Sequence, residues 1–246
     1  MTTLTVTPSL ICRTPQLRVG EVHVWQTSVT QTASTFELLS SLLDPTEHNR
    51  AASFRFERDR NRYVVAHGTL RHVLGSYLDS DPQSIRFVNS RDGRPHLKGV
   101  FRRTTLSFNL SHDDEQVLIG LARFSPVGID VQSHAVPIGT DLVVEAALSS
   151  RERAWVTKLE TDPRPAVMQL WARKEALAKA TGAGIATGLD RIDVSGVSPI
   201  SITAPGPHLD VRLLVQDLDT GPGYAAAVAT SWWCRRIERL SWDPRS

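Results

Sequence analysis

Apolar positions recur along the chain with two different periods, and the switches between them lay out its elements. Residues Val22 to Val29 read as a strand, followed by a short helix over Glu37 to Leu43. Asp44-Pro45-Thr46-Glu47 is a helix start with proline in its first turn. From Arg58 to Leu78 the spacing of Tyr63, Ala66, Leu70, Val73, Leu74 and Tyr77 predicts a long amphipathic helix, the main helix of the first half. Short strands are expected near Ile85 to Val88, Thr105 to Leu110 and Val117 to Ala122, with the turn Asp92-Gly93-Arg94-Pro95 between the first two. Phe124-Ser125-Pro126 is the best boundary.

The second half begins with a strand through Gly128-Ile129-Asp130-Val131-Gln132. Val127, Ile129 and Val131 share one of its faces, while Gly128, Asp130 and Gln132 share the other. Asp130 therefore sits either at a strand edge in water or inside a site. Helices are expected near Asp141 to Ala147 and Arg151 to Leu159, and from Ala166 to Thr181, where Gly182 stops the last one. Strands near Ser198 to Thr203, Leu209 to Gln216 and Tyr224 to Ala229 complete the half. The two halves echo each other: LDPTEHNRA at 43–51 aligns with LSSRERAW at 148–155, and YVVAHGTLR at 63–71 with WARKEALAK at 171–179. The expected fold class is α+β, as two similar lobes with a ligand cleft between them. The corresponding division is a leader at 1–20, lobes at 21–124 and 127–230, and a tail at 231–246 that covers core edges.

A chain of 246 residues, 41% of them hydrophobic, can bury a substantial core. Its apolar runs fall far short of the roughly 18 residues that a membrane span needs. The first residues lack the basic region of a signal peptide, and Cys12 and Cys234 lie too far apart in sequence to suggest a disulfide framework. These features favour the cytoplasm. A formal charge of +2 with no dense Lys/Arg stripe gives no support for a nucleic-acid partner. Only Lys98, Lys158, Lys174 and Lys179 are lysines among 28 basic residues, and two of them fall in one six-residue window. That retention suggests a need for a compact, flexible ammonium.

Glu175 and Lys179, four apart, share a helix face beside the apolar Leu170, Trp171, Leu177 and Ala178. Alone they read as an ordinary surface ion pair. With Asp130 on a strand, the two carboxylates instead form a candidate hard-cation site for Mg²⁺. Ser111 and His112 end a strand in FNLSHD, where they either cap a turn or donate to a phosphate. Adjacent Ser, His and Asp cannot form a hydrolytic triad, and no G-x-S-x-G elbow is present. Gly93-Arg94-Pro95 is a tight turn that presents an arginine suited to phosphate. No Walker A loop, G-x-G-x-x-G or Cys/His metal cluster occurs.

In order, GRP at 93–95, FNLSHD at 108–113, GIDVQ at 128–132 and WARKEALAK at 171–179 resemble the motif set of the Sfp-type 4′-phosphopantetheinyl transferases. W-x-x-K-E-x-x-x-K is the most specific element, and the resemblance covers roughly residues 40 to 230. It implies two α+β lobes related by pseudo-twofold symmetry, with coenzyme A as substrate in the cleft between them. The implied reaction moves the phosphopantetheine arm to a serine of an apo acyl or peptidyl carrier protein and releases adenosine 3′,5′-bisphosphate. By matching positions, Asp130, Glu175 and Lys179 would be catalytic, with Asp130 and Glu175 holding Mg²⁺, or Mn²⁺ in its place. Coenzyme A would be gripped by Arg50, Gly93, Arg94, Pro95, Asn109, Ser111, His112, Lys174 and Lys179. Many relatives carry a second acid two residues after the Asp; here Gln132 stands there and would reach the metal through water. The chain is expected to act as a monomer without membrane or nucleic acid. The competing readings are another Mg²⁺-dependent transferase with a pyrophosphate donor, and a non-catalytic coenzyme A-binding protein.

Overall fold

The structure, a computed structural model, describes residues 15–89, 95–135, 147–182, 188–206 and 210–244. Strand β1 (Glu21–Ser28) leads into helix α1 (Ala33–Ser41), α2 (Pro45–Ala52) and the long α3 (Glu57–Leu78). Strands β2 (Phe87–Asn89), β3 (Pro95–Leu97), β4 (Leu106–Asp113) and β5 (Gln116–Arg123) complete the first half. The second half runs through β6 (Val127–Ser133), α4 (Ser150–Val156), α5 (Arg164–Thr181), β7 (Ile200–Ala204), β8 (Val211–Leu218) and β9 (Tyr224–Ser231). A last strand, β10 (Arg236–Ser241), comes from the tail. Helix α1 starts four residues ahead of the expected position because the Thr32 side chain accepts from the Thr35 amide and caps it there. Helix α5 ends at Gly182, which takes a left-handed φ of 71°, as its glycine stop requires. Most of the helix expected near 141–147 lies outside the described residues, as does Cys12.

Two four-stranded sheets result, ordered β10-β1-β5-β4 and β6-β9-β8-β7, with β2-β3 as a separate hairpin. In each half the first strand pairs antiparallel with the last strand of the following hairpin, β1 with β5 and β6 with β9. A short capped helix and a long helix intervene both times. The architecture is α+β with two similar halves.

Both halves use the same device to dock the long helix. Asp44 and Glu47 form a capping box at α2, and the fully buried Arg71 of α3 donates to Glu47 (2.6 Å) and Asp44 (2.9 Å). Ser149 and Glu152 form a capping box at α4, and the fully buried Lys174 of α5 lies 2.9 Å from Glu152. The sequence echo aligns the cap acids Glu47 and Glu152, but it sets Arg71 opposite Lys179, so the cation that meets the cap acid comes from a different helix position in each half.

One core fills the space between α3 and the first sheet, around Leu70, Leu74 and Leu121. A second lies between α5 and the second sheet, around Leu170, Leu177 and Val215. A third joins the sheets, with Val22, Val24 and Leu118 facing Ile129, Val131 and Val228. The halves are also stitched along β4. Asn109 Oδ1, Ser111 Oγ and Asp113 Oδ2 accept from the backbone N–H groups of Ile129 (2.9 Å), Val131 (3.3 Å) and Ser133 (2.7 Å). Three side chains at two-residue spacing thus satisfy three edge amides of β6, which would otherwise be costly to bury. Among the described residues, no helix is long and apolar enough to cross a membrane.

Candidate active site

The face of β6 that carries Gly128 and Asp130 packs on α5. A Cβ at Gly128 would fall 2.0 Å from the Ala176 carbonyl oxygen and 2.4 Å from the Ala180 amide nitrogen. Only glycine permits that approach, and it brings the next residue on the same face, Asp130, beside Lys179. Lys179 Nζ donates to Asp130 Oδ1 at 2.6 Å, to the Ile129 carbonyl at 3.1 Å and to Ser111 Oγ at 3.2 Å. The Ser111 hydroxyl donates to the same Oδ1 at 2.9 Å, and Gln132 Nε2 donates to Oδ2 at 2.7 Å. Asp130 is only 2% exposed, so these donors offset the cost of burying its charge. The Lys179 ammonium is committed to Asp130, so the simple surface pair with Glu175 does not describe it. Glu175 is a buried carboxylate one turn earlier on α5 and does not itself line the cleft in front of Asp130.

That cleft has three connected parts, each touching Pro95. An inner cavity of about 420 Å³ is lined by Arg50, Tyr63, His67 and Phe87, among others. A middle cavity of about 410 Å³ is lined by His67, Ser111, His112, Asp130, Gln132 and Lys179. An outer cavity of about 400 Å³ is lined by Arg102, Phe108, Val127, Lys179 and Gly182, among others. Burial, with the neighbouring His67, Arg62 and Lys179, pushes the His112 pKa down to about 4, so the ring is neutral at pH 7. Its Nδ1 is buried without a hydrogen-bond partner among the described residues.

Of the residues singled out from sequence, Arg50, Pro95, Ser111, His112, Asp130, Gln132 and Lys179 line this cleft. Gly93 and Arg94 lie outside the described residues. Asn109 is buried and spends its carbonyl oxygen on the β6 edge, so its place is in the join between the halves. Lys174, expected to grip coenzyme A, is placed elsewhere. Its Nζ donates to the Leu189 and Ile192 carbonyls, both at 2.6 Å, and pairs with Glu152, with neither ion exposed. A neighbour five residues away on a helix points to a different face, and this one faces the interior.

Sequence reasoning missed His67. It stacks on Tyr63 with ring centroids 4.0 Å apart, holds Glu47 Oε1 at 3.3 Å and lines both the inner and the middle cavity. The echo between the halves carried the signal, because it sets His67 opposite Glu175.

Comparison with known proteins separates the halves in the same way. Residues 24–122 match the model of the 4′-phosphopantetheinyl transferase N-terminal region, and residues 126–229 match that of the 4′-phosphopantetheinyl transferase superfamily. The 4′-phosphopantetheinyl transferase HetI of Nostoc sp. is 31% identical over 176 residues, covering 71% of this chain and 74% of that protein. The chain belongs to the 4′-phosphopantetheinyl transferase family. The transferase psf-1 of Bacillus pumilus is 29% identical over 182 residues, covering 73% of this chain and 75% of its own. Sfp of Bacillus subtilis is 23% identical over 197 residues, covering 79% and 85%. The GIDVQ strand and the W-x-x-K-E-x-x-x-K helix both lie inside the matched second half.

Proposed function

We propose that the chain transfers the 4′-phosphopantetheine arm of coenzyme A to a serine of an apo carrier protein in a Mg²⁺-dependent reaction and releases adenosine 3′,5′-bisphosphate. The observation that carries this reading is the pairing of the buried Asp130 with the partly exposed Lys179 at the centre of a three-part cleft between the halves. Coenzyme A is a long molecule with a pyrophosphate at its middle, and the cleft matches that order. Arg50, His67 and the aromatic Tyr63 suit the nucleotide, and Lys179 and Ser111 suit the pyrophosphate.

The donor set fits a hard dication. Asp130 and Glu175 offer carboxylate oxygens from elements in contact, and Asp130 Oδ2, which accepts from Gln132, keeps acceptor capacity beyond that donor. Among the described residues, no group of three His, Cys, Asp or Glu side chains forms a complete cage. The protein would then supply two carboxylates, with water and substrate phosphate completing the shell, as Mg²⁺ prefers. When bound, the ion would neutralise pyrophosphate charge and polarise the phosphorus under attack. Gln132, which here holds Asp130 Oδ2 in place, would orient that carboxylate.

In the proposed reaction the carrier serine oxygen bonds to the phosphorus next to the pantetheine, and the bond from that phosphorus to the bisphosphate oxygen breaks. Glu175 accepts the serine proton directly or through water. Lys179, tethered by the Ile129 carbonyl and Ser111, keeps a positive charge at the phosphates as negative charge builds on the leaving oxygen. The test is Glu175→Gln, with coenzyme A affinity measured by calorimetry and transfer by the mass of the carrier. Loss of transfer with affinity held within about threefold supports Glu175 as base, and retained transfer removes it from that role.

A further inference from the structure

The outer cavity does more than widen the cleft. It shares Lys179, where the pyrophosphate is proposed to lie, with the middle cavity, and its lining includes the apolar Leu97, Leu106, Phe108, Pro126 and Val127. Strand β4 lies along it as the outermost strand of its sheet, with β5 its one strand neighbour among the described residues. An outer strand leaves every second set of backbone amide groups without a strand partner. The pantetheine arm is uncharged and carries two amides on an otherwise aliphatic chain, so its chemistry suits an apolar groove beside such an edge. Nothing in the arm calls for a cation. Yet the exposed Arg102 also lines the groove.

We infer that the outer groove holds the thiol end of the donor and that Arg102 is a specificity-determining residue favouring coenzyme A thioesters whose acyl group carries a carboxylate. The inference rests on the proposed transferase reading and adds to it the donor class. The thioester takes no part in the chemistry: the same serine oxygen–phosphorus bond forms and the same bond to the bisphosphate breaks, so the acyl group travels to the carrier intact. An exposed Arg–carboxylate contact is a modest interaction, so the expected preference is a factor of about two to five.

Two measurements test this separately. Calorimetry with metal-free protein compares coenzyme A with adenosine 3′,5′-bisphosphate, which lacks the arm. Thr104→Trp at the groove's rim and Ser107→Trp on its wall should each weaken coenzyme A at least threefold more than the bisphosphate, with folding of each checked by urea unfolding. Equal effects on both ligands would overturn the placement of the arm, whereas no binding of either ligand to the unaltered protein would sink the transferase reading instead. Transfer from succinyl- and acetyl-coenzyme A to one carrier then gives a ratio of kcat/KM values. Arg102→Ala should lower the succinyl-to-acetyl ratio about two- to fivefold, and Arg102→Lys should restore part of it. An unchanged ratio overturns the role of Arg102, including the case where both donors slow together because the carrier binds less well.

Discussion

Lys174 and Lys179 are five residues apart on α5, yet the first is sealed against Glu152 while the second reaches the cleft. Replacing each by methionine should therefore give opposite signatures. Lys174→Met leaves a fully buried carboxylate without its cation, so it should cost about 3–5 kcal/mol of stability in urea unfolding. Adding Glu152→Met to it should recover much of that loss, because two apolar groups replace the pair. Lys179→Met should cost less stability, since its ammonium is partly exposed, but should remove most of the transfer activity. The reverse order would contradict the placement of both side chains. His112 carries a pH signature of its own. The unfolded chain binds a proton at this ring near pH 6.5 and the folded chain only near pH 4. Its contribution to stability is thus complete above about pH 6.5 and lost progressively as the pH falls toward 4. His112→Gln should flatten that part of the profile, seen as a smaller drop in urea midpoint between pH 7 and pH 4.5; an identical drop would contradict it.

At the scale of elements, the contact between β6 and α5 builds the site. Gly128→Ala should disrupt it, because the added methyl meets backbone on α5 and no flexible side chain can give way. A loss of stability of several kcal/mol, with activity lost in whatever folds, is the expected outcome, and wild-type stability would show that the strand can draw back. The comb from β4 makes a related prediction. Asp113→Asn keeps an acceptor for the Ser133 amide and should retain most stability, whereas Asp113→Ala leaves that amide buried and should cost about 1–3 kcal/mol. The elements themselves were largely readable, because long α3 and α5 and the strands flanking β6 advertise their period over many residues. The motif residues that touch each other were readable too, since Asp130 broke the apolar run of its strand. What could not be read was the use made of similar residues. Asn109 and Ser111 differ by one turn of the pleat, yet one stitches the halves and the other also holds Asp130, and only the strand pairing decides. Lys174 failed for the same reason: the motif spacing carries no information about which side of α5 faces the interior.

Across the whole molecule, the first and last strands among the described residues meet. β10 lies parallel to β1, and Trp242 packs into the core of the first half. A parallel pairing between the start and the end of a chain has no local sequence pattern, which is why the tail read only as a cover. Ending the chain at Arg235 would expose the β1 edge and empty the Trp242 site, so the first half should lose at least the roughly 3–5 kcal/mol of a large core deletion. Unchanged thermal unfolding would contradict that role. Both halves must hold for the cleft to exist, because Arg50, His67 and His112 come from one and Asp130, Gln132 and Lys179 from the other. The measurement that tests this account most directly is the intact mass of an apo carrier protein incubated with the full chain, coenzyme A and Mg²⁺, beside an EDTA control and Asp130→Ala. The account predicts the gain of one phosphopantetheinyl group by the carrier, absent in both controls. A carrier left unmodified by the full chain although coenzyme A binds, or modified equally well by Asp130→Ala, would contradict it.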